Sequence, residues 1–345
     1  MDGKIFVAGH RGLVGSAIVR ALQRAGHDNL LLRSRAELDL RKSEPVYRFM
    51  EVERPDVVII AAARVGGIQA NLDSPADFLL ENLQIQNNLI DSSSRFGVKQ
   101  LSFLGSSCIY PRLCPQPMKE EYLLTGPVEP TNEGYAIAKI AGLKMAQAYQ
   151  RQYGLNVVCA MPCNLYGPND SFDLQKSHVL SALVRRFVDA RDDNAESVTL
   201  WGSGTARREF MHVDDLAEAV LFVMGNWKSD EIINIGTGTD VSIRELAHLI
   251  SDISGFQGRI EWDTLKPDGM PRKCMDVTKL TQLGYRAGIA LADGIRGMIA
   301  EYNGIKCAVN DLKDEVNDST HETHVSQRTG NTTGTGEVHS GNAAA

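Results

Sequence analysis

The stretch KIFVAGHRGLVGSAIVRAL, Lys4–Leu22, decides the fold. Its first half is a short apolar run with no polar alternation, which is how a strand covered on both faces reads. Gly9, Gly12 and Gly15 follow, and apolar residues then recur at helical spacing. Strand, glycines and helix in that order open a dinucleotide-binding βαβ unit. Gly9 permits the tight turn, Gly12 lets backbone approach a pyrophosphate, and Gly15 lets the helix pack closely on the strand. The helix start then offers its N–H groups and positive dipole end to the phosphates. His10, Arg11, Leu13 and Val14 complete the loop as cofactor-binding candidates.

The end of the second strand separates two cofactors. An NAD enzyme places Asp or Glu there, accepting from the ribose 2′-hydroxyl. This chain reads Arg33–Ser34–Arg35, with Arg11 inside the glycine loop and no carboxylate at the strand's end. Guanidinium suits a 2′-phosphate, so the expected cofactor is NADP, as NADPH, with Arg11 and Arg35 among its partners.

Further apolar runs at 30–33, 56–63, 100–107 and 156–162 alternate with helical patterns at 14–25, 76–96 and 134–153. Such alternation predicts right-handed βαβ units and an α/β fold, a Rossmann-type doubly wound parallel sheet. After Pro162 the texture loosens, with helices expected at 178–191, 213–225 and 242–254 and strands at 198–202 and 231–236. The expected division is a cofactor-binding domain of residues 1–165 plus 212–236 and a smaller α/β substrate domain of residues 166–211 plus 237–305. Beyond 306 the chain turns to Gly, Thr, Ser, Asn and His, a composition that cannot bury a core, and residues 306–345 are expected as a disordered tail.

A chain of 345 residues can bury a large core, and a net charge of −7 argues against a phosphate-binding surface for nucleic acid. No apolar run reaches the length of a membrane span. The first residues enter a strand without a leader pattern, and the six cysteines form no CxxC pair. The expectation is a cytoplasmic protein with reduced thiols, no metal, no membrane and no nucleic-acid partner.

Tyr135 and Lys139 stand at i and i+4 within a helical stretch, on one face. Ser106 falls at the end of the fourth strand, where parallel sheets bind ligands. A cation beside a phenol lowers its pKa and lets tyrosine exchange a proton with a substrate oxygen, while serine donates to the same oxygen.

GHRGLVG, GSSCIY and NEGYAIAKIAG together resemble the extended short-chain dehydrogenase/reductase family. The longer stretches AAARVGGIQAN, EPTNEGYAIAKIAGLKM, NLYGPND, WGSGTARREFMHVDD, NIGTG and KPDGMPRK are similar to its epimerase-reductases of GDP-sugars, over about residues 3–303. Cys163, in MPCNLYG, stands where that pattern has threonine. The resemblance implies NADPH-dependent epimerisation at C3 and C5, then C4 reduction, of GDP-4-keto-6-deoxy-D-mannose by a homodimer packed through helices that include the one bearing Tyr135. It places Leu104, Gly105, Ser106, Ser107, Lys139, Pro162, Cys163, Asn164, Leu165 and His178 against the cofactor. Rivals are another nucleotide-sugar 4-reductase or epimerase of this family, or a catalytically inactive NADP-sensing protein.

The thiol of Cys108 distinguishes among the family's reactions. The 4,6-dehydratases place an Asp–Glu pair immediately after the catalytic Ser or Thr, where this chain has Ser107 and Cys108. A simple 4-epimerase leaves Cys108 without a task. Inversion at C3 and C5 needs proton removal beside a carbonyl and return on the other face, which a thiol and an imidazole can perform near neutral pH. The resemblance implies that Cys108 removes the proton and His178 returns it. It also favours Arg186 and Arg208, with Lys273, Trp201 and Asp268, for substrate contacts.

Overall fold

The computed structural model describes the backbone of residues 3–174, 177–266 and 268–326, with side chains to residue 308. The chain forms two units, residues 1–300 and residues 301–345.

Strand β1 (Ile5–Ala8) leads into α1 (Leu13–Arg24), β2 (Leu30–Leu31), α2 (Ser43–Glu53) and β3 (Val57–Ile60). Then come α3 (Ile68–Asp73), α4 (Pro75–Arg95), β4 (Gln100–Leu104), α5 (Glu133–Tyr153) and β5 (Val157–Pro162). The second half carries β6 (Asn164–Tyr166), α6 (Val179–Asp192), β7 (Ser197–Trp201), β8 (Arg207–Arg208), β9 (Phe210–His212) and α7 (Val213–Asn226). It ends with β10 (Ile233–Ile235), β11 (Val241–Ser242), α8 (Ile243–Ser254), β12 (Arg259–Asp263), β13 (Arg272–Lys273), α9 (Thr278–Leu283) and α10 (Leu291–Ser326).

Six strands form one all-parallel sheet in the order β10–β5–β4–β3–β1–β2. Every residue of β1, β3 and β5 is buried, as continuous apolar runs require when helices cover both faces. Helix α1 buries Gly15, Ala17, Ile18, Ala21 and Leu22, a stripe at 3.6 spacing, and each large aliphatic contributes about 1.5–3 kcal/mol. Arg20 on α1 joins Asp214 on α7 at 2.6 Å, fixing those two helices beside each other. The strand order reverses between β1 and β3, so ligands are expected beyond the carboxyl ends of β1, β3, β4 and β5.

Smaller sheets pair β8 with β11 and β13, β7 with β12, and β6 with β9. Buried Glu209 knots this region. One carboxylate oxygen accepts from the amides of Thr237 (2.6 Å) and Gly238 (2.7 Å), the other from Met275 (2.7 Å). Helix α8 begins with a capping box, Ser242 with Glu245, and ends at Gly255 with φ +80°, a left-handed residue suited to glycine.

Composition opens a tail at residue 306, yet α10 continues through Ser326. The segment KCAVNDLKDEV, 306–316, is compatible with continuing a helix already begun at Leu291. Residues 327–345 of the expected tail lie outside the described residues.

Candidate active site

The glycine loop is built for a close visitor. Gly9 adopts φ +87° and its amide-bearing turn closes through Gly12 N–H to Gly9 O at 3.0 Å. A side chain at Gly15 would strike Gly9 O, so that glycine serves helix-on-strand packing. A side chain at Gly12 would meet only Gly9 O at 3.6 Å, so internal packing does not demand glycine there. The room beside Gly12 fits a pyrophosphate, and the first-turn amides of Leu13, Val14 and Gly15 lack intrahelical acceptors, as at any helix start. His10 keeps a buried Nδ1 with no partner, a second group in the loop suited to a ligand.

At the end of β2, Arg33 turns away, with Glu53 at 3.0 Å and the Phe49 ring at 5.5 Å. Arg35 remains largely exposed with Glu81 at 4.0 Å, and Arg11 is exposed in the loop. Two arginines therefore fit a 2′-phosphate, not three. A carboxylate is also present nearby, contrary to the sequence reading. Glu37 accepts from Ser34 N–H (2.7 Å) and Ser34 O–H (2.6 Å), and these bonds, with the charges of Arg33 and Arg11, hold its pKa low. Glu37 is thus engaged in its own turn.

Beyond β4 the chain turns sharply. A side chain at Gly105 would meet the far end of the Met161 side chain, so glycine lets this strand end lie against β5 without moving it. Extended Ser106 then accepts through its hydroxyl from Cys108 N–H at 3.2 Å, starting a short 3₁₀ turn, Ser107–Ile109. Leu104 O receives the Lys139 ammonium at 2.8 Å, and Cys163 N–H reaches Ile235 O at 3.0 Å. Asn164 donates from its side chain to Glu209 O at 2.8 Å. Pro162 ends β5 and Leu165 lies in β6, so both segments expected to line the cofactor sit at or just past strand ends.

Tyr135 and Lys139 share one face of α5, with the ammonium 5.9 Å from the Tyr135 ring and 5.3 Å from the Phe103 ring. The expected lowering of the phenol is not found. Burial pushes Tyr135 well above its ordinary value, and the nearby Cys108 charge adds to this against a hydrogen bond with Ser106. Lys139 is itself buried, which lowers its pKa to about 8, and its hydrogen bond goes to Leu104 O. Tyr135 therefore keeps its proton in this state.

Cys108 is half-buried and receives two hydrogen bonds at its sulfur. Lys273 Nζ and Asn132 Nδ2 each stand 3.3 Å from Sγ. Burial raises the thiol's pKa, but the Lys273 charge and the bonds from Ser106, Lys273 and Asn132 outweigh it, so the net shift is downward. Sequence reasoning missed Asn132, although it lies inside the quoted motif EPTNEGY. It also assigned Lys273 to substrate alone.

His178 is exposed at the N-cap of α6, near Asp170. Arg186 donates to Thr199 O at 3.3 Å, and Trp201 is 68% exposed with Lys266 Nζ 5.4 Å from its ring. Arg207 is taken by Asp240 (2.5 Å) and Glu245 (3.3 Å). Arg208 donates to the carbonyls of Arg207 (2.7 Å) and Met270 (2.6 Å), which leaves its positive charge for an anion. Asp268 accepts from Ser203 N–H and O–H, stapling the Gly202 turn.

The model of the NAD dependent epimerase/dehydratase family matches residues 5–236, from β1 through β10. The chain belongs to that family. It is 56% identical over 294 residues to GDP-L-fucose synthase 1 of Arabidopsis thaliana, covering 85% of this chain and 91% of that relative. It is 51% identical over 301 residues to the GDP-L-fucose synthase of Escherichia coli, covering 85% and 94%. Among solved structures, it is similar to a GDP-L-fucose synthetase from Naegleria fowleri bound to NADP, with a TM-score of 0.80, 27% identity, and coverage of 87% and 94%.

Proposed function

We propose that the chain is an NADPH-dependent GDP-L-fucose synthase, which inverts C3 and C5 of GDP-4-keto-6-deoxy-D-mannose and then reduces C4. The observation that carries this reading is the Cys108 sulfur, held by two donors beside Ser106 and Tyr135. A reductase or a 4-epimerase has no use for a thiol so prepared. The identity to named GDP-L-fucose synthases supports the same substrate.

Cys108 takes the proton from the carbon beside the keto group, and His178 returns one from the opposite face. Tyr135, kept protonated by its burial, donates to the C4 oxygen, with Ser106 as a second hydrogen-bond donor. Bound NADPH supplies the hydride to C4. The Gly9–Gly15 loop and the α1 N-terminus bind its pyrophosphate, Arg11 and Arg35 bind its 2′-phosphate, and Lys139 holds its ribose. Arg186, Arg208 and Trp201 contact the GDP-sugar, while Asp268 shapes the turn beneath it. Residues 1–165 plus 212–236 serve the cofactor, and residues 166–211 plus 237–305 serve the sugar nucleotide.

The partner is a second copy of the chain. Helices α4 and α5 pack together, with Gln86 donating to Ala138 O at 2.6 Å, and expose Leu80, Ile137 and Tyr153. Pairing these helices across a two-fold axis covers that apolar surface. No helix among the described residues is long and apolar enough to cross a membrane. A thiol base needs reducing surroundings, which favours the cytoplasm.

The test is product analysis in D2O with GDP-4-keto-6-deoxy-D-mannose. With NADPH, GDP-L-fucose is expected, carrying deuterium at C3 and C5. Without NADPH, deuterium should enter both carbons and no reduced sugar should form. A reduced product with unchanged C3 and C5 would overturn the epimerase half.

A further inference from the structure

Lys273 lies in a two-residue strand whose position the surrounding chain fixes from several sides. It pairs with Arg208 in β8, its carbonyl accepts from Glu209 N–H at 3.2 Å, and Cys274 N–H is held by Gln116 Oε1 at 2.9 Å. The next residue, Met275, is bound by Glu209. The backbone register thus commits the lysine to one place. A second donor, Asn132, comes from the turn that starts α5.

The chemistry of these two groups favours the charged state of the sulfur they contact. An ammonium has three donors and no acceptor, and an amide NH2 has donors alone. Neither donor can accept from an S–H, so both 3.3 Å contacts use sulfur lone pairs, which a thiolate offers more strongly than a thiol. Tyr135 from α5 also faces this thiol, and burial keeps it neutral. The Lys273 charge also reaches Cys114 and Cys163, and burial raises both of those thiols.

We propose that Lys273 is a positioning residue for epimerisation: its ammonium, together with the Asn132 amide, holds the Cys108 sulfur as a thiolate ready to accept a proton. This rests on the epimerase reading of Cys108. In the step, the thiolate takes the proton from carbon and becomes S–H, while the C–H electron pair stays on the sugar as the enolate. The negative charge leaves the sulfur and the ammonium remains nearby, so the site's net charge is unchanged and no redox partner is needed. A compact ammonium so engaged is not free to serve as the principal phosphate contact.

The test uses the ligand-free full chain and its Lys273→Met, Lys273→Gln and Lys273→Arg variants, each verified as folded by circular dichroism. Iodoacetamide labelling of Cys108 is followed against pH by peptide mass. The midpoint should rise by about one pH unit or more in Met and Gln and recover in Arg. In turnover, deuterium entry at C3 and C5 near pH 7 should fall about tenfold in kcat, with KM for the keto sugar changed less than about threefold, and should recover toward higher pH. An unchanged labelling midpoint with a raised KM would overturn the proposal and make Lys273 a phosphate contact. Labelling reads the sulfur without substrate. A shifted midpoint in a protein that does not epimerise the sugar would therefore sustain the lysine's hold on Cys108 while refuting the epimerase function.

Discussion

The ammonium of Lys139 is bound to the carbonyl oxygen of Leu104 at 2.8 Å, inside a site whose burial lowers the lysine's pKa to about 8. The folded chain therefore releases this proton more readily than the unfolded chain. Between about pH 8 and 10 the unfolded state binds more protons, so stability should rise with pH over that window. The gain should be on the order of 2 kcal/mol. Urea unfolding of Lys139→Met at pH 8 and 10 should lack this rise. An equal rise in both proteins would place Lys139 in contact with water. Turnover should fall above pH 8 as the lysine loses its charge.

Tyr135→Phe removes the proton given to the C4 oxygen. C4 reduction should drop about a hundredfold or more, while deuterium exchange at C3 and C5 persists because Cys108 is untouched. Nuclear magnetic resonance of the sugar separates the two. Loss of exchange along with reduction would give the phenol a part in both reactions.

Arg35 is largely exposed and only loosely paired with Glu81, so it is available to an anion. Arg35→Ala should raise the KM for NADPH about tenfold or more, from loss of a charge-assisted bond of about 1.5–3 kcal/mol. The KM for NADH should hardly change. Equal losses for both cofactors would move the 2′-phosphate site elsewhere.

Glu209→Gln replaces one acceptor oxygen with an NH2 among three backbone donors. Two donors then face each other in a buried place, and thermal or urea unfolding should show a loss of about 2–3 kcal/mol. A change under about 0.5 kcal/mol would mean that the three loops hold their places without the carboxylate.

The parallel sheet was legible because β1, β3 and β5 are continuous apolar runs, a pattern that depends on neighbouring residues alone. The glycine loop was legible because Gly15 answers to Gly9 and His10 within the loop itself, whereas the backbone of Ala61 and Ala62 against Gly9 comes from more than fifty residues away. The setting of Cys108 was not, because Lys273 reaches the thiol from 165 residues away through the register of β13 with β8. The sign of the Tyr135 shift escaped for a related reason. Helical spacing shows that Lys139 shares a face with the phenol, but not that both are buried or that the ammonium is bound to Leu104. Glu37 was overlooked because it approaches the end of β2 from the following turn. Helix α2 carries Pro45 after its first residues and buries only Val46 and Met50, a stripe too thin to read.

Strand β10 has a consequence for how the chain is made. It pairs with β5 through Ile233 and Ala160, but residues 163–232 are synthesised between them. Until residue 235 has left the ribosome, one edge of β5 presents an unpaired row of N–H and C=O groups on a strand that is wholly buried in the finished protein. A nascent chain at that length is an aggregation hazard and a natural client for chaperones. Translation that terminates between residues 163 and 232 therefore yields a chain with an adhesive edge, and the last few residues of the family-matched region are the ones that close it.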